Sequence, residues 1–415
     1  MGRRQSWYIA GGWAVIRLWL LLTTLGVLPD PESGATVDVD QIYRPWAEIL
    51  GSGTFPLDDD MWQYPPGAAG ILLGPDLFPW WTYRHAFIAL MLIFDAVVLL
   101  CLLRSGRNAP DGKGSPLGGW LWVVAPPILG PIVLSRYDLA VTGLAVLALT
   151  LIGRTRLHHL GGFIAGVAAS VKVWPVLLVL GVGGWRKLST TALWTVAGAA
   201  AVCLGFAAAM PGAFSFLQFQ GERGVEVESI FATPFLIARH FGWSGNIQFT
   251  YGCLEFHGPW VALFSKLAMA SSVLGFGWLV LWRVKARVWN DSTAFDTALT
   301  AMLIFVVTSR VLSPQYMIWL VGLAALCLTR ASTTQRPAAL LILAATPLTY
   351  LEFPFWFSEV LSGDVLATTV LIIRNLLLVV ATCWSATALW YSTKASGLQV
   401  PQRDSATQKE TVTAA

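Results

Sequence analysis

The sequence predicts an all-α polytopic membrane protein, and three observations carry that prediction. Hydrophobic residues make up 56% of the chain and charged residues only 12%, against about 25% charged in soluble domains. Apolar runs of roughly 17–25 residues recur, the length a helix needs to cross a bilayer. Those runs are continuous, whereas a transmembrane barrel shows segments of about ten residues with alternating hydrophobicity. Only helices and closed barrels satisfy their backbone in lipid, so the runs are read as helices.

The first run, Ile9 to Leu28, follows Arg3 and Arg4. It looks like a signal peptide, yet no small-residue cleavage site closes it, so it is expected to stay as an anchor helix. Further segments are expected near 85–103, 118–134, 138–153, 160–171, 173–184, 190–210, 259–282, 295–309, 314–329, 337–353 and 365–391. That makes about 10–12 membrane segments, some of them short or broken. The pair 160–171 and 173–184 is too short to span comfortably and meets at Lys172. Short helices of this kind are tolerated where they line a buried or watery cavity.

Orientation follows from Lys and Arg in the loops. Residues 1–8, 104–117, 154–159, 185–189, 283–292, 330–336 and the tail carry 17 of the 27 Lys and Arg. That side is expected in the cytoplasm with both termini, making the chain a multi-pass protein of the plasma membrane. Residues 1–391 form the integral membrane domain, with the long outer loops 29–84 and 211–258. The polar stretch 392–415 reads as a disordered cytoplasmic tail. Loop 29–84 holds nine acids against two bases. Acids contribute little to topology, so this excess invites a chemical explanation.

Several function classes are excluded by what is missing. The sequence has no GxxxxGK[ST] nucleotide loop, which removes an ATP-driven pump. It has no HExxH and no Cys/His set with ligand spacing, so neither a metal nor a cofactor is expected, nor a nucleic-acid partner. Four of the five cysteines (Cys101, Cys203, Cys327, Cys383) fall in apolar runs and Cys253 in a loop, which implies no disulfide framework. No inner loop has room for a nucleotide-sugar domain, so a sugar donor would have to arrive through the lipid.

Two constellations carry chemistry. The first is the acidic loop VDVDQIYRPWAEILGSGTFPLDDDMWQYPP, Val37 to Pro66. A carboxylate near the membrane surface can take a proton from an attacking sugar hydroxyl if it sits within hydrogen-bond reach. Asp38, Asp40 and Asp58 are the candidates for that base. Tyr43, Trp46, Trp62 and Tyr64 are candidates for holding a sugar or acceptor. The competing explanations are a solvated acidic loop or a cation site at Asp58, Asp59 and Asp60. The second constellation is cationic: Arg136 in SRYDL, Lys172 in SVKVWP and Arg310 in TSRVLSPQY. Charge at membrane depth is costly and marks a functional hypothesis; here it suits a lipid-linked phosphate. Snorkelling, or pairing such as Arg136 with Asp138, competes with that reading. In loop 211–258, Glu222, Glu226 and Glu228 precede a stretch to His240 expected as an amphipathic interfacial helix. Glu228 there, and Gln315 in RVLSPQY, join the acceptor candidates.

The order of these motifs resembles a known family. DVDQIYRPWAEIL, then YPP, SVKVWP, a VESIF segment and RVLSPQYMIWL together look like the GT-C fold polyprenol-phosphate-dependent membrane glycosyltransferases. The chain is most similar to glycosyltransferase family 87, the actinobacterial mannosyltransferase-like group, over most of residues 1–390. The resemblance implies an inverting transfer of a hexose, mannose at family level, from a polyprenyl-phosphate donor. The acceptor would be a glycolipid or glycan on the outer face, with membrane lipids as partners and a place in cell envelope biosynthesis. It implies a catalytic Asp in the first outer loop, best matched by Asp40, with Asp38 leaving the doublet open. It also implies that Lys172 and Arg310 face the donor phosphate. The Asp58–Asp60 run matches nothing in the family pattern. A secondary transporter or lipid flippase without covalent chemistry is the alternative reading.

Overall fold

The computed structural model describes residues 1–29, 36–154, 156–218 and 224–394. Most of the expected disordered tail, together with Asp30, Glu222 and Arg223, lies outside the described residues. The chain begins with α1 (Arg3–Thr24), then a π-helical turn at Val39–Tyr43, α2 (Arg44–Gly51), α3 (Gly67–Leu72) and α4 (Tyr83–Arg107). Next come α5 (Leu117–Ile128), α6 (Ile132–Ser135), α7 (Asp138–Ile152), α8 (His158–Val171), a 3₁₀ stretch at Trp174–Gly181 and α9 (Trp185–Ala209). After a small sheet and α10 (Thr233–Ala238) follow α11 (Val261–Lys285), α12 (Thr293–Thr308) and α13 (Tyr316–Cys327). The described chain closes with α14 (Arg336–Tyr350), α15 (Phe357–Ser362) and α16 (Val365–Ser392).

Among the described residues, five helices are long and apolar enough to cross a membrane: α4, α9, α11, α14 with its π-helical extension to Phe355, and α16. The shorter apolar helices α5, α7, α12 and α13 pack among them. α7 and α13 are buried along most of their length, so helices that read as separate spans form the core of the bundle.

Arg17 shows how this bundle tolerates a charge. It is 2% exposed on α1. Its Nε lies 2.8 Å from Asp95 Oδ2 on α4, and its Nη2 lies 3.2 Å from Oδ1. Trp13 Nε1 donates to the same carboxylate at 2.7 Å. The remaining guanidinium hydrogens go to α5, to the Trp122 carbonyl at 2.7 Å and the Val123 carbonyl at 3.3 Å. Those two carbonyls are free for a covalent reason. Proline has no N–H, and Pro126 and Pro127 sit four residues after Trp122 and Val123 in the same helix. Arg17 therefore completes a broken hydrogen-bond ladder while neutralising Asp95. A carboxylate in mid-segment is what a transporter would use, and Asp95 is instead fully engaged in structure.

Close helix approach relies on small residues, as membrane interfaces do. A Cβ at Gly166 of α8 would lie 2.0 Å from the Thr195 carbonyl, and one at Gly198 of α9 would lie 2.2 Å from the Phe163 carbonyl.

Three expectations need correction. Segment 118–134 is broken after α5, where Gly130 adopts φ +71°. Segment 173–184 forms a 3₁₀ stretch rather than an α-helix; Pro175 stands at its start and Gly181, Gly183 and Gly184 at its end. Loop 211–258 is not all helix and irregular chain. It contains an antiparallel sheet of β1 (Val225–Glu226), β2 (Asn246–Thr250) and β3 (Cys253–His257), in the order β1-β3-β2. β2 and β3 are joined through Tyr251 (φ +52°) and Gly252 (φ +76°), the positive-φ pair that a tight hairpin turn needs. The expected helix from Glu228 to His240 begins only at Ile230 and breaks into short 3₁₀ and α pieces.

Candidate active site

The site lies where α7, α8, α12 and α13 meet the loops 29–84 and 211–258. α8 stops at Val171, and Lys172 leaves the helix in an extended conformation (φ −143°, ψ 135°). The side chain is thereby turned into the interior, with Nζ 2.7 Å from Asp138 Oδ1. Asp138 opens α7 and is 1% exposed. Four aromatic rings surround the ammonium: Trp319 at 4.8 Å, Tyr137 and Tyr316 at 5.1 Å, and Tyr64 at 5.8 Å from Nζ to centroid. A cation over ring faces is stabilised by about 0.5–2 kcal/mol per favourable pair. The cage and the carboxylate together hold a charge in a place that would otherwise neutralise it.

Lys172 opens onto a cavity of about 400 Å³ that also presents Arg310, Gln315, Tyr64, Tyr316 and Trp319. Arg310 lies in the linker between α12 and α13, with Nη1 3.2 Å from Ser265 Oγ. The linker is pinned by β1. The Glu226 N–H donates to the Arg310 carbonyl at 3.0 Å, and the Glu226 carboxylate accepts from the Leu312 N–H and from Ser313 Oγ. The hairpin tip at Tyr251–Gly252 forms part of the cavity wall. The sheet thus both anchors Arg310 and covers the cavity.

The two aspartates at the start of the acidic loop point to different places. Asp38 Oδ2 lies 2.7 Å from Arg136 Nη2. Arg136 is 7% exposed and stands in extended chain between α6 and α7. Asp40 pairs instead with Arg84 at the start of α4, on the more exposed side. The suggested pairing of Arg136 with Asp138 does not occur; Asp138 holds Lys172. Tyr43 is buried between these groups, its ring 5.6 Å from that of Tyr137. Burial pushes the Tyr43 phenol well above its ordinary value, against the opposing pull of the Arg136 guanidinium, so it stays neutral. Ser135 Oγ and Arg136 Nη1 are buried without a partner. Two such atoms on consecutive residues are unusual, because buried polar groups are normally paired.

The other expected residues lie elsewhere. Trp46 and Trp62 are 4% and 0% exposed and pack edge-to-face with ring centroids 5.2 Å apart. They are core, with no face open to a sugar. Asp59 caps this core by accepting from Trp46 Nε1 at 2.7 Å and from the Met61 N–H at 2.9 Å, while Asp58 is exposed. Glu228 is buried and turned toward Glu352 and Arg374, outside the cavity wall. Of the twelve candidates, Lys172, Arg310, Tyr64 and Gln315 line the cavity, and Asp38 and Arg136 stand beside it. Sequence reading missed Tyr137, Tyr316 and Trp319, and offered Asp138 only as a partner for Arg136 rather than for Lys172. Their signal was present, since SRYDL and SPQYMIW each place aromatics at the end of a buried helix.

Fold and site together define a multi-pass membrane protein with a cation-bearing cavity at one end of its helical bundle. The sequence model of Glycosyltransferase family 87 matches residues 62–314, and the chain belongs to that family, as its motif order implied. It is a membrane glycosyltransferase. Among solved structures it is similar to ArnT from Cupriavidus metallidurans bound to undecaprenyl phosphate, at 13% identity and a TM-score of 0.44, covering 93% of this chain and 77% of that one. The same protein in the apo state gives 14% identity and a TM-score of 0.44, covering 92% and 78%. A search of curated proteins returned no match.

Proposed function

We propose that the chain transfers a hexose, mannose by family-level preference, from a polyprenyl-phosphate donor to a glycolipid or glycan acceptor. The reaction takes place on the outer face of the plasma membrane, within cell envelope biosynthesis. What carries this reading is the placement of Lys172 and Arg310 in one cavity, from which charge-assisted hydrogen bonds reach a phosphate group. As the sugar–phosphate bond breaks, negative charge accumulates on the departing lipid phosphate. Fixed cations aimed at that charge lower the barrier.

The acceptor hydroxyl attacks the anomeric carbon from the face opposite the phosphate, which inverts the configuration. A loop carboxylate takes the hydroxyl proton. We assign this role to Asp38 rather than Asp40. Asp38 shares its guanidinium partner Arg136 with the Tyr43–Asp138 surroundings of Lys172, while Asp40 is drawn away to Arg84. Among the described residues only Oδ2 of Asp38 is engaged, which leaves Oδ1 to accept a proton.

The test is donor choice. Purified protein is given an acceptor lipid extract with polyprenyl-phosphate mannose, polyprenyl-phosphate glucose or a mannose nucleotide. Transfer from a lipid phosphate and none from the nucleotide is the expected outcome. Equal transfer from the nucleotide would remove the lipid-phosphate reading.

A further inference from the structure

Three helices that reach the Lys172 site with one end, α7, α12 and α13, meet α4 at a second cavity with the other. Tyr83 at the start of α4 donates to the Tyr43 carbonyl. Asp138 opens α7, Arg310 follows α12, and Tyr316 opens α13. At the opposite face, Arg104 stands in the last turn of α4, Arg154 just past α7, Asp291 just before α12 and Arg330 just past α13. With Asn108 and Thr150 these line a cavity of about 150 Å³.

The charges in this cavity do not balance. Asp291 is its one lining carboxylate, set against three guanidinium groups. Asp291 is already taken by Arg330, with Nε at 3.4 Å, and by the Ser332 hydroxyl. Arg330 is further held by the Ser105 carbonyl and lies 5.2 Å over the Phe295 ring. Neither Arg104 nor Arg154 has a carboxylate partner among the described residues. Cations near helix C-termini complement the helix dipole, and basic loops set topology. Those effects explain why arginines are present on this face. They do not explain three arginines from three different helices converging on one polar hole. Planar guanidinium groups arranged in this way suit a tetrahedral oxyanion bound through two or more N–H groups, and basic pockets between helix ends bind anionic lipid headgroups.

We propose that this cavity binds a phosphate-type oxyanion, supplied by the headgroup of an anionic membrane phospholipid. The bound group ties together the ends of α4, α7 and α13, and the other ends of α7 and α13 hold the donor site. The inference stands apart from the proposed donor and acceptor, because it rests only on the second cavity.

The experiment uses the full chain in a neutral detergent, with phosphatidylglycerol, phosphatidylcholine or inorganic phosphate as probe. Binding is followed by native mass spectrometry and by the apparent unfolding temperature. Phosphatidylglycerol is expected to be retained and to raise the unfolding temperature, and phosphatidylcholine to do neither. Arg104→Gln and Arg154→Gln are each expected to weaken retention by about tenfold or more, the usual loss for one charge-assisted hydrogen bond. The double Arg→Lys variant, which keeps both charges but loses the planar forks, is expected to fall between the wild type and the double Gln variant. If inorganic phosphate protects the wild type equally and the Gln variants lose that protection, the oxyanion site stands with a free anion as its source. Equal retention of phosphatidylglycerol by wild type and by a well-folded Arg104→Gln/Arg154→Gln double variant would overturn the proposal.

Discussion

Replacing Lys172 with methionine, alone and together with Asp138→Asn, separates the pair's part in folding from its part in chemistry. Asp138 is 1% exposed and its recorded cation lies 2.7 Å away. Removing one partner of a buried ion pair costs about 3–5 kcal/mol, because the other charge is left uncompensated. Methionine suits the aromatic cage by shape, and sulfur–ring contacts return about 0.3–1.5 kcal/mol. Lys172→Met alone should therefore lose most of that 3–5 kcal/mol. The double variant, which removes both charges of the pair, should recover the larger part. Transfer should respond differently. A hydrogen bond to a charged group contributes about 1.5–3 kcal/mol, which at about 1.4 kcal/mol per decade is roughly 10- to 150-fold in kcat/KM. Both variants should show that loss, since both lack the Lys172 ammonium and leave Arg310 as the remaining cation of the pair. Scanning fluorimetry in detergent reads the first quantity, and the initial rate of label transfer from a polyprenyl-phosphate sugar reads the second. A double variant that is stable and transfers sugar at the wild-type rate would refute a phosphate-binding role for Lys172.

Asp38→Asn should lower transfer by at least about 100-fold, the lower bound for losing a general base, while Asp40→Asn lowers it less than about tenfold; the opposite ranking in the same assay returns the role to Asp40. Arg17→Met should cost about 3–5 kcal/mol by stranding Asp95, read as a lower unfolding temperature, with Asp95→Asn in the same chain restoring part of it. Glu228 supplies a pH signature. Burial, and then the neighbouring Glu352 carboxylate, push its carboxyl well above the ordinary glutamate value of 4.5. Its neutral form is the one that fits, so its contribution to stability is full at low pH and is lost as pH rises from the unfolded value through the folded one. Each pH unit in that window should cost the wild type up to about 1.4 kcal/mol, and Glu228→Gln should flatten the profile of unfolding temperature against pH.

Much of the fold was legible because lipid imposes a length on every helix that crosses it. The expected segments 85–103 and 365–391 fall inside α4 and α16, two of the helices long and apolar enough to cross. Helix ends were legible to within a few residues wherever Pro, Gly or a capping Asp364 marks them. Two elements were not legible for local reasons. The Trp174–Gly181 stretch reads as helix by hydrophobicity, and only its Pro and Gly neighbours and its packing against α12 make it 3₁₀. The β2–β3 hairpin is five residues per strand beside exposed chain, too short to stand out in an apolar sequence.

The site was legible as residue types and not as pairs. Lys172 and Arg310 stood out because charge in an apolar setting is costly. The partner of Lys172 is 34 residues away and that of Arg136 is 98 positions back at Asp38, separations that only the bundle closes. The aromatics show the same limit. Trp46, Trp62 and Tyr64 all occur in one acidic loop, yet Trp46 and Trp62 are core and Tyr64 lines the cavity. Nothing in their spacing separates a ring that packs from a ring that faces a ligand; their burial is decided by Phe55 and Asp59, which fold back over them.

The most direct measurement is covalent transfer itself. Purified wild-type protein and Asp38→Asn are incubated with radiolabelled polyprenyl-phosphate mannose and a membrane lipid extract, and the organic phase is resolved for labelled glycolipid. Label should move from the polyprenyl phosphate to a new glycolipid of inverted anomeric configuration with wild type and hardly at all with Asp38→Asn. Label that stays on the polyprenyl carrier, or crosses sealed vesicles without forming any new glycosidic bond, would contradict a glycosyltransferase acting through this cavity.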